Sequence, residues 1–320
     1  MKKIGVVTAG GDAPGMNAAI RSVVRTAIFN ELEVVGVERG YAGLIEEKIH
    51  SLDIRSVSGI INHGGTILKT ARCEEIKNER GIQKAIHALK NHKIDGLIVI
   101  GGDGSFRGAS ELYEASGIPV IGVPATIDND VAGTDTAIGF DTAVNTALFT
   151  IDRIRDTATS HERVFVVEVM GRKRGFLALA VGFAEGAEFI LVPEIKLDVE
   201  SICKKLKQGR KKGKTSEIIV TAEGVGDSSI IAEEIRKRTG YDVRLTILGH
   251  ALRGGPPTAH SRILANQFGA LAVELLLKGA KNKMVGIRGQ KMTWVDLDYS
   301  WKQKKHLNQH LYRLAEILSS

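Results

Sequence analysis

The chain of 320 residues carries 43% hydrophobic and 25% charged side chains, and its 44 Lys and Arg against 37 Asp and Glu leave a net charge of +7. That balance excludes a disordered, collagenous or coiled-coil protein and suits two domains, or one large α/β unit with an appended lobe. The longest apolar run, Phe176 to Ala184 with Gly182 included, is about half of a membrane-spanning helix, and Gly10-Gly11-Asp12 arrives before a signal-peptide core can form; a cytoplasmic chain with no membrane contact is expected.

Strands are predicted over Lys3–Thr8, Glu33–Val37, Gly96–Ile100, Pro119–Val123, Val164–Val169, Glu188–Val192, Glu217–Ala222, Arg244–Leu248 and Met284–Ile287. Most are near-continuous apolar runs, the pattern of strands covered on both faces. Between them, Met16, Ile20, Val23, Val24, Ala27 and Ile28 recur at helical spacing over Met16–Phe29, and Val144, Ala147, Leu148, Ile151 and Ile154 mark a second helix. The alternation predicts an α/β protein of two doubly wound, mostly parallel sheets flanked by helices. Its active site is expected in the cleft at the strand carboxyl ends. Cys73 and Cys203 are too few for a disulfide framework and lack metal-ligand spacing, so both read as free thiols.

Six glycine-rich or charged turns follow these strands: Gly10-Gly11-Asp12-Ala13-Pro14-Gly15, Gly101-Gly102-Asp103-Gly104-Ser105, Pro124-Ala125-Thr126-Ile127-Asp128-Asn129-Asp130, Met170-Gly171-Arg172, Glu223-Gly224-Val225-Gly226 and Gly249-His250-Ala251-Leu252-Arg253-Gly254-Gly255. Glycines between a strand and a helix let backbone amides approach an anion. Neither the first nor the second turn is a Walker loop, and Asp12 replaces the second glycine of the dinucleotide fingerprint. Glu38 stands where a ribose-binding acid would, but the broken glycine spacing tells against a dehydrogenase.

Carboxylates gathered at one sheet edge repel unless a cation or a proton joins them. Asp103, Asp128 and Asp130 therefore suit magnesium, held by a carboxylate or two plus substrate phosphates, with a remaining carboxylate as general base; Asx turns and helix caps are the structural alternative. Arg72, Arg163, Arg172, Arg244 and Arg253 stand at strand or turn ends, and five guanidinium forks beside glycine turns favour phosphate over surface ion pairs. A second basic feature, Lys204, Lys205, Lys207, Arg210, Lys211, Lys212 and Lys214, includes no acid and no aromatic. It reads as a solvated helix end or an anion site, and without a stacking platform nucleic acid is not expected. Arg21 and Arg25, one turn apart, repel unless solvent or an anion separates their charges.

Taken together, Gly10 to Asn17, Gly101 to Ser105, Thr126 to Asp130, Met170-Gly171-Arg172 and Leu248-Gly249-His250-x-x-Arg253-Gly254-Gly255 resemble the signature set of the bacterial ATP-dependent 6-phosphofructokinases, over Lys3 to about Leu318. The resemblance implies a phosphofructokinase-like fold and a glycolytic kinase that moves a phosphoryl group from ATP to the 1-hydroxyl of fructose 6-phosphate. It implies Asp128 as the general base and Asp103 as the magnesium ligand. Gly11, Arg72, Cys73, Gly102, Asp103, Gly104 and Ser105 match the ATP site, with Arg72 also stabilising the phosphoryl group in transfer. Thr126, Ile127, Asp128, Arg163, Met170, Gly171, Arg172, Glu223, Arg244, His250, Ala251, Leu252 and Arg253 match the sugar-phosphate site. Gly11, Arg72, Thr126 and Asp128 make up the implied catalytic set.

By the same resemblance, 1–138 with 253–302 is the ATP-binding domain and 139–252 with 303–320 the sugar-phosphate-binding domain. The assembly is a homotetramer in which Arg163 and Arg244 reach a neighbouring subunit's site. An effector site for ADP or phosphoenolpyruvate matches Arg21, Arg25, Arg155, Gly186, Ala187, Glu188, Lys212, Lys214, Thr215 and Ser216. Departures from the family pattern are Ile54-Arg55 in order, Gly59 for an acid, Ala125 for a glycine, Phe176 for an acid, Pro256 for a serine and His260-Ser261 for an aromatic-acid pair. The pyrophosphate-dependent relatives carry an acid at the position of Gly104 and a lysine at that of Ala125; glycine at 104 leaves room for the α-phosphate of ATP. A silent sugar-phosphate sensor would be expected to lose Asp103 or Asp128, and both are present.

Overall fold

The computed structural model describes residues 1–319; Ser320, at the end of the expected 303–320 segment, lies outside the described residues. In chain order the strands are β1 (Lys3–Thr8), β2 (Glu33–Val37), β3 (Ile49–Leu52), β4 (Gly96–Gly101), β5 (Val120–Thr126), β6 (Ile138–Gly139), β7 (Val164–Val169), β8 (Phe189–Leu191), β9 (Glu217–Ala222), β10 (Val243–Ile247), β11 (Lys283–Arg288) and β12 (Lys291–Asp296). The helices are α1 (Met16–Phe29), α2 (Gly40–Ile45), α3 (Glu79–Asn91), α4 (Asp103–Ser116), α5 (Phe140–Ser160), α6 (Phe176–Glu185), α7 (Val199–Lys211), α8 (Ser228–Thr239), α9 (Ala259–Leu277), α10 (Tyr299–Lys302) and α11 (Gln309–Leu318). The chain divides into two compact units, one of Met1–Thr142 with Arg253–Lys305, the other of Ala143–Leu252 with the chain from His306.

The first unit is built on a sheet ordered β12-β11-β5-β4-β1-β2-β3, with β6 attached to β5. Its interior strands are parallel, and β3 and β12 run antiparallel at the two edges. The apolar runs of β1 and β4 are buried because helices cover both faces. The chain moves from β1 outward to β2 and returns to place β4 on the other side of β1, so the order reverses between β1 and β4. That reversal opens a crevice at the carboxyl ends of these two strands.

The second unit holds the parallel sheet β10-β7-β9-β8. Ile202, Leu206, Ile231 and Ile235 pack on Val164, Val166 and Ile219 of that sheet. Asp198 caps α7 by accepting the Ser201 N–H at 2.9 Å, and Arg210 and Lys211 occupy its last turn, where a positive charge offsets the helix dipole.

β1, β2, β7 and β9 begin and end where the apolar runs place them. β5 extends through Pro124 and Ala125 to Thr126, so these are strand residues and the turn starts at Ile127. The edge strands β3 and β12 and the two-residue β6 escape the sequence pattern. The exposed His50 and Ser51 of β3 and the half-exposed run of β12 give neither an apolar run nor a strict alternation. Among the described residues no helix is long and apolar enough to cross a membrane.

Candidate active site

In the first unit the carboxyl ends of β1, β4 and β5 lie side by side because the strands are in parallel register. The β1 and β4 turns are joined directly: the Ala9 N–H donates to the Ile100 carbonyl at 3.0 Å, and the Ser105 hydroxyl donates to the Ala9 carbonyl at 2.8 Å. A Cβ on Gly101 would stand 2.4 Å from the Ala9 oxygen, so only glycine permits this approach. The Thr70 hydroxyl donates to the Gly10 carbonyl at 2.7 Å, which brings the segment leading to Arg72 and Cys73 beside the β1 turn. Arg253 donates to the Asp12 carbonyl at 3.0 Å, and a Cβ on Gly11 would meet its guanidinium at 2.7 Å. Gly11, the Gly102 to Ser105 turn and Arg253 thus line the crevice that the strand order opens.

Gly102 precedes α4, and Asp103 opens the helix with its Oδ1 accepting the Gly104 N–H at 2.7 Å. A carboxylate at a helix amino terminus is favoured by the dipole, and it is a hard oxygen donor. Among the described residues no three His, Cys, Asp or Glu side chains cluster to hold a metal. Asp103 offers a single carboxylate of the kind that magnesium uses alongside substrate phosphates. Around Gly104 a Cβ would meet nothing within 4 Å, so this side of the crevice is open.

Asp128 follows β5 with only 3% of its surface exposed. Its N–H donates to the Thr126 hydroxyl at 3.1 Å, fixing the step out of the strand. Asn129 then takes a left-handed conformation with φ of 50° and closes the turn. Its amide donates to the Asp135 carbonyl at 3.2 Å and its side-chain oxygen accepts the Ala137 N–H at 3.1 Å. Short polar side chains that bond their own loop are suited to this conformation.

In the second unit, Met170-Gly171-Arg172 follows β7, Glu223 follows β9 and His250 lies in the turn after β10. Glu223 organises the first of these turns: its Oε1 accepts the Gly171 N–H at 3.3 Å and the Arg172 N–H at 2.6 Å. Arg172 has φ of 50°, and its side chain is left exposed. Gly224 is required where it stands, because a Cβ there would lie 2.2 Å from the Arg172 carbonyl. Ala251 and His250 are exposed and Leu252 is fully buried.

The expectation that all five arginines stand beside the glycine turns is corrected here. Arg163 precedes β7 and Arg244 is the second residue of β10, so both lie at the amino ends of their strands. About seven residues of extended chain, roughly 23 Å, separate Arg163 from Met170. Both arginines bond Asp242, at 2.6 and 3.0 Å. The hydrogen bond from Arg163, reinforced by Arg244, holds the Asp242 carboxyl below the usual carboxylate range.

The amino edge of the same sheet gathers most of the residues expected at an effector site. Arg155 bonds the Glu185 carboxylate at 2.7 Å and its carbonyl at 2.9 Å. Burial nevertheless pushes the Glu185 carboxyl up. Gly186 ends α6 with φ of 66°, and Glu188 accepts the Ile218 N–H at 2.8 Å. Lys214 lies 3.9 Å from Glu188 and donates to the Ser319 carbonyl at 2.9 Å. Ser216 bonds Thr159 at 3.3 Å. A cavity of about 420 Å³ opens here, lined by Ala187, Glu188, Lys212, Lys214 and Glu217 among others. The basic stretch is thus not wholly a solvated face: Arg210 lies 3.2 Å from Glu217, whose carboxylate is buried and pushed up by that burial. Arg21 and Arg25 belong to α1 of the first unit, the latter exposed.

Glycine-rich turns at a point of strand reversal, with an acid opening the following helix, are an arrangement that α/β proteins use to bind phosphoryl groups. A family model described as phosphofructokinase matches residues 3–276, and the chain belongs to that family. It is 55% identical, over the whole of both chains, to a protein of Halothermothrix orenii named ATP-dependent 6-phosphofructokinase. Among solved structures it resembles the phosphofructokinase of Saccharomyces cerevisiae, with a TM-score of 0.88 at 36% identity, over 94% of this chain and 45% of the yeast chain's length. A pyrophosphate-dependent phosphofructokinase of Marinobacter aquaeolei shares the fold, with a TM-score of 0.87 at 24% identity over 97% of this chain and 86% of that one.

Proposed function

We propose that the chain is an ATP-dependent 6-phosphofructokinase, transferring the terminal phosphoryl group of ATP to the 1-hydroxyl of fructose 6-phosphate in the cytoplasm. The observation that carries this reading is Asp128: a carboxylate withdrawn from water at the end of β5, on a turn anchored by Thr126 and Asn129, one strand away from the glycine-rich turn after β4.

The first unit is read as the ATP-binding domain. The turns at Gly11 and at Gly102 to Ser105 bind the phosphates, and the Arg72 guanidinium offsets charge on the group in transfer. Magnesium, when bound through Asp103, neutralises phosphate charge. Asp128 takes the proton of the sugar hydroxyl as that oxygen attacks phosphorus, and ADP leaves. The second unit is read as the sugar-phosphate domain, with Met170 to Arg172, Glu223 and His250 as ligands. Arg163 and Arg244 stand at the opposite strand ends from that set, which supports their assignment to a neighbouring copy's sugar phosphate in a homotetramer. The direct test is formation of fructose 1,6-bisphosphate from ATP, magnesium and fructose 6-phosphate by the purified protein; no product would overturn the reading.

Two further outcomes are expected. Glu223→Ala removes the acceptor that orders the Gly171 and Arg172 amides. Hydrogen bonds to a charged group contribute about 1.5 to 3 kcal/mol, so KM for fructose 6-phosphate should rise roughly ten- to hundredfold with KM for ATP little changed. A normal KM for the sugar phosphate would remove Glu223 from the site. At the effector site, Lys214→Ala should raise the concentrations of ADP and phosphoenolpyruvate needed to shift activity by about tenfold or more. Equal responses in wild type and variant would return the basic stretch to a solvated role.

A further inference from the structure

The turn that presents Asp128 is closed by a residue far along the chain. Lys305 follows α10 and is the last residue of the first unit. Its ammonium donates to the Asn129 side-chain oxygen at 3.1 Å and to the Asp135 carbonyl at 2.9 Å. These are two of the groups through which Asn129 itself closes the turn. The loop is also tied to β11: the Asp135 N–H donates to the Ile287 carbonyl at 2.8 Å, the Ile287 N–H to the Thr134 hydroxyl at 3.1 Å, and the Gly289 N–H to the Asp135 carboxylate at 2.6 Å.

We infer that Lys305 is a positioning residue for phosphoryl transfer: by joining the Asn129 side chain to the Asp135 carbonyl, it locks the turn at the geometry in which Asp128 meets the sugar hydroxyl. The inference rests on the reading of Asp128 as the general base. Burial pushes the Lys305 ammonium down to about 8, although the carboxylates of Asp135 and Asp130 favour its charge. Removing the ammonium takes the donor from the Asn129 oxygen and the Asp135 carbonyl, so some loss of stability accompanies any loss of geometry. The contribution of the ammonium lies in direction: it draws two oxygens from opposite sides of the loop onto one centre, beside a residue held in a left-handed conformation.

The test is a double-mutant cycle of Lys305→Met and Asn129→Ala, with kcat, both KM values and melting temperature measured for each protein. Misplacement by about 1 Å costs roughly a hundredfold in rate, so Lys305→Met is expected to lower kcat about ten- to hundredfold. KM for ATP should stay within about threefold of wild type, and the melting temperature should fall by no more than about 5 °C. Because both side chains act on one turn, the double variant should be no slower than the slower single variant. Wild-type kcat in Lys305→Met overturns the inference, as do losses that multiply in the double variant. A melting temperature lower by more than about 5 °C with kcat lost in step assigns the lysine to stability and also overturns it. Asp128→Ala run alongside separates the two readings: turnover near wild type there overturns the base assignment, whereas a slow Asp128→Ala with a fast Lys305→Met overturns only the lock.

Discussion

Asp128→Ala is expected to lower kcat by about two to four powers of ten, the usual contribution of a positioned general base, while fructose 6-phosphate still binds. The residue is buried to 3% exposure, and its backbone is fixed by Thr126 before it and Asn129 after it. Removing the carboxylate therefore leaves these hydrogen bonds of the turn in place and takes away the proton acceptor. The loss should appear in kcat and kcat/KM alike, because the interaction is made in the transition state. Binding is read separately, by calorimetric titration with fructose 6-phosphate. A variant that turns over near the wild-type rate would remove Asp128 from the role.

Gly104→Asp is expected to lower kcat/KM for ATP by about three powers of ten. The fold itself accepts the side chain, because a Cβ at this position meets no protein atom within 4 Å and the residue is exposed in the first turn of α4. A new carboxylate about 4 Å from a phosphate repels it by roughly 4 kcal/mol at the effective dielectric of a protein surface. Each 1.4 kcal/mol is about a factor of ten. The melting temperature should hardly move, since an acid near a helix amino terminus is tolerated or favoured. Wild-type kcat/KM for ATP in the Gly104→Asp variant would show that the α-phosphate does not lie beside this turn.

The fold was legible where burial on both faces wrote a continuous apolar run, as in Ile98 to Ile100 of β4 and Ile218 to Val220 of β9. It was not legible at β3 and β12, whose pairing comes from antiparallel partners at a sheet edge and leaves half of each strand in water. The glycine turns were legible as residues, but a strand's direction is a property of the sheet. Residue type grouped Arg163 and Arg244 with Arg172 although the predicted strands already began beside them, and the parallel pairing of β7 with β10 shows that both lie at one amino edge. Asn129 was visible only as part of a motif; its bonds to Asp135 and Ala137 depend on a loop path that no periodicity encodes. Lys305 had no sequence signal at all, because it meets Asn129 across 176 residues of chain. The acceptors for the basic stretch were hidden for the same reason: Glu188 and Glu217 are ordinary strand-end acids until the sheet brings them to Lys214 and Arg210.

The most direct measurement of the central claim is a paired-donor assay: purified protein with magnesium and fructose 6-phosphate, given ATP in one arm and pyrophosphate in the other, with fructose 1,6-bisphosphate as the common product. The open glycine at 104 and the glycine-rich turns after β1 and β4 predict rapid formation from ATP and almost none from pyrophosphate. Preference for pyrophosphate would contradict the reading of Gly104, and no product in either arm would contradict the assignment of the reaction itself.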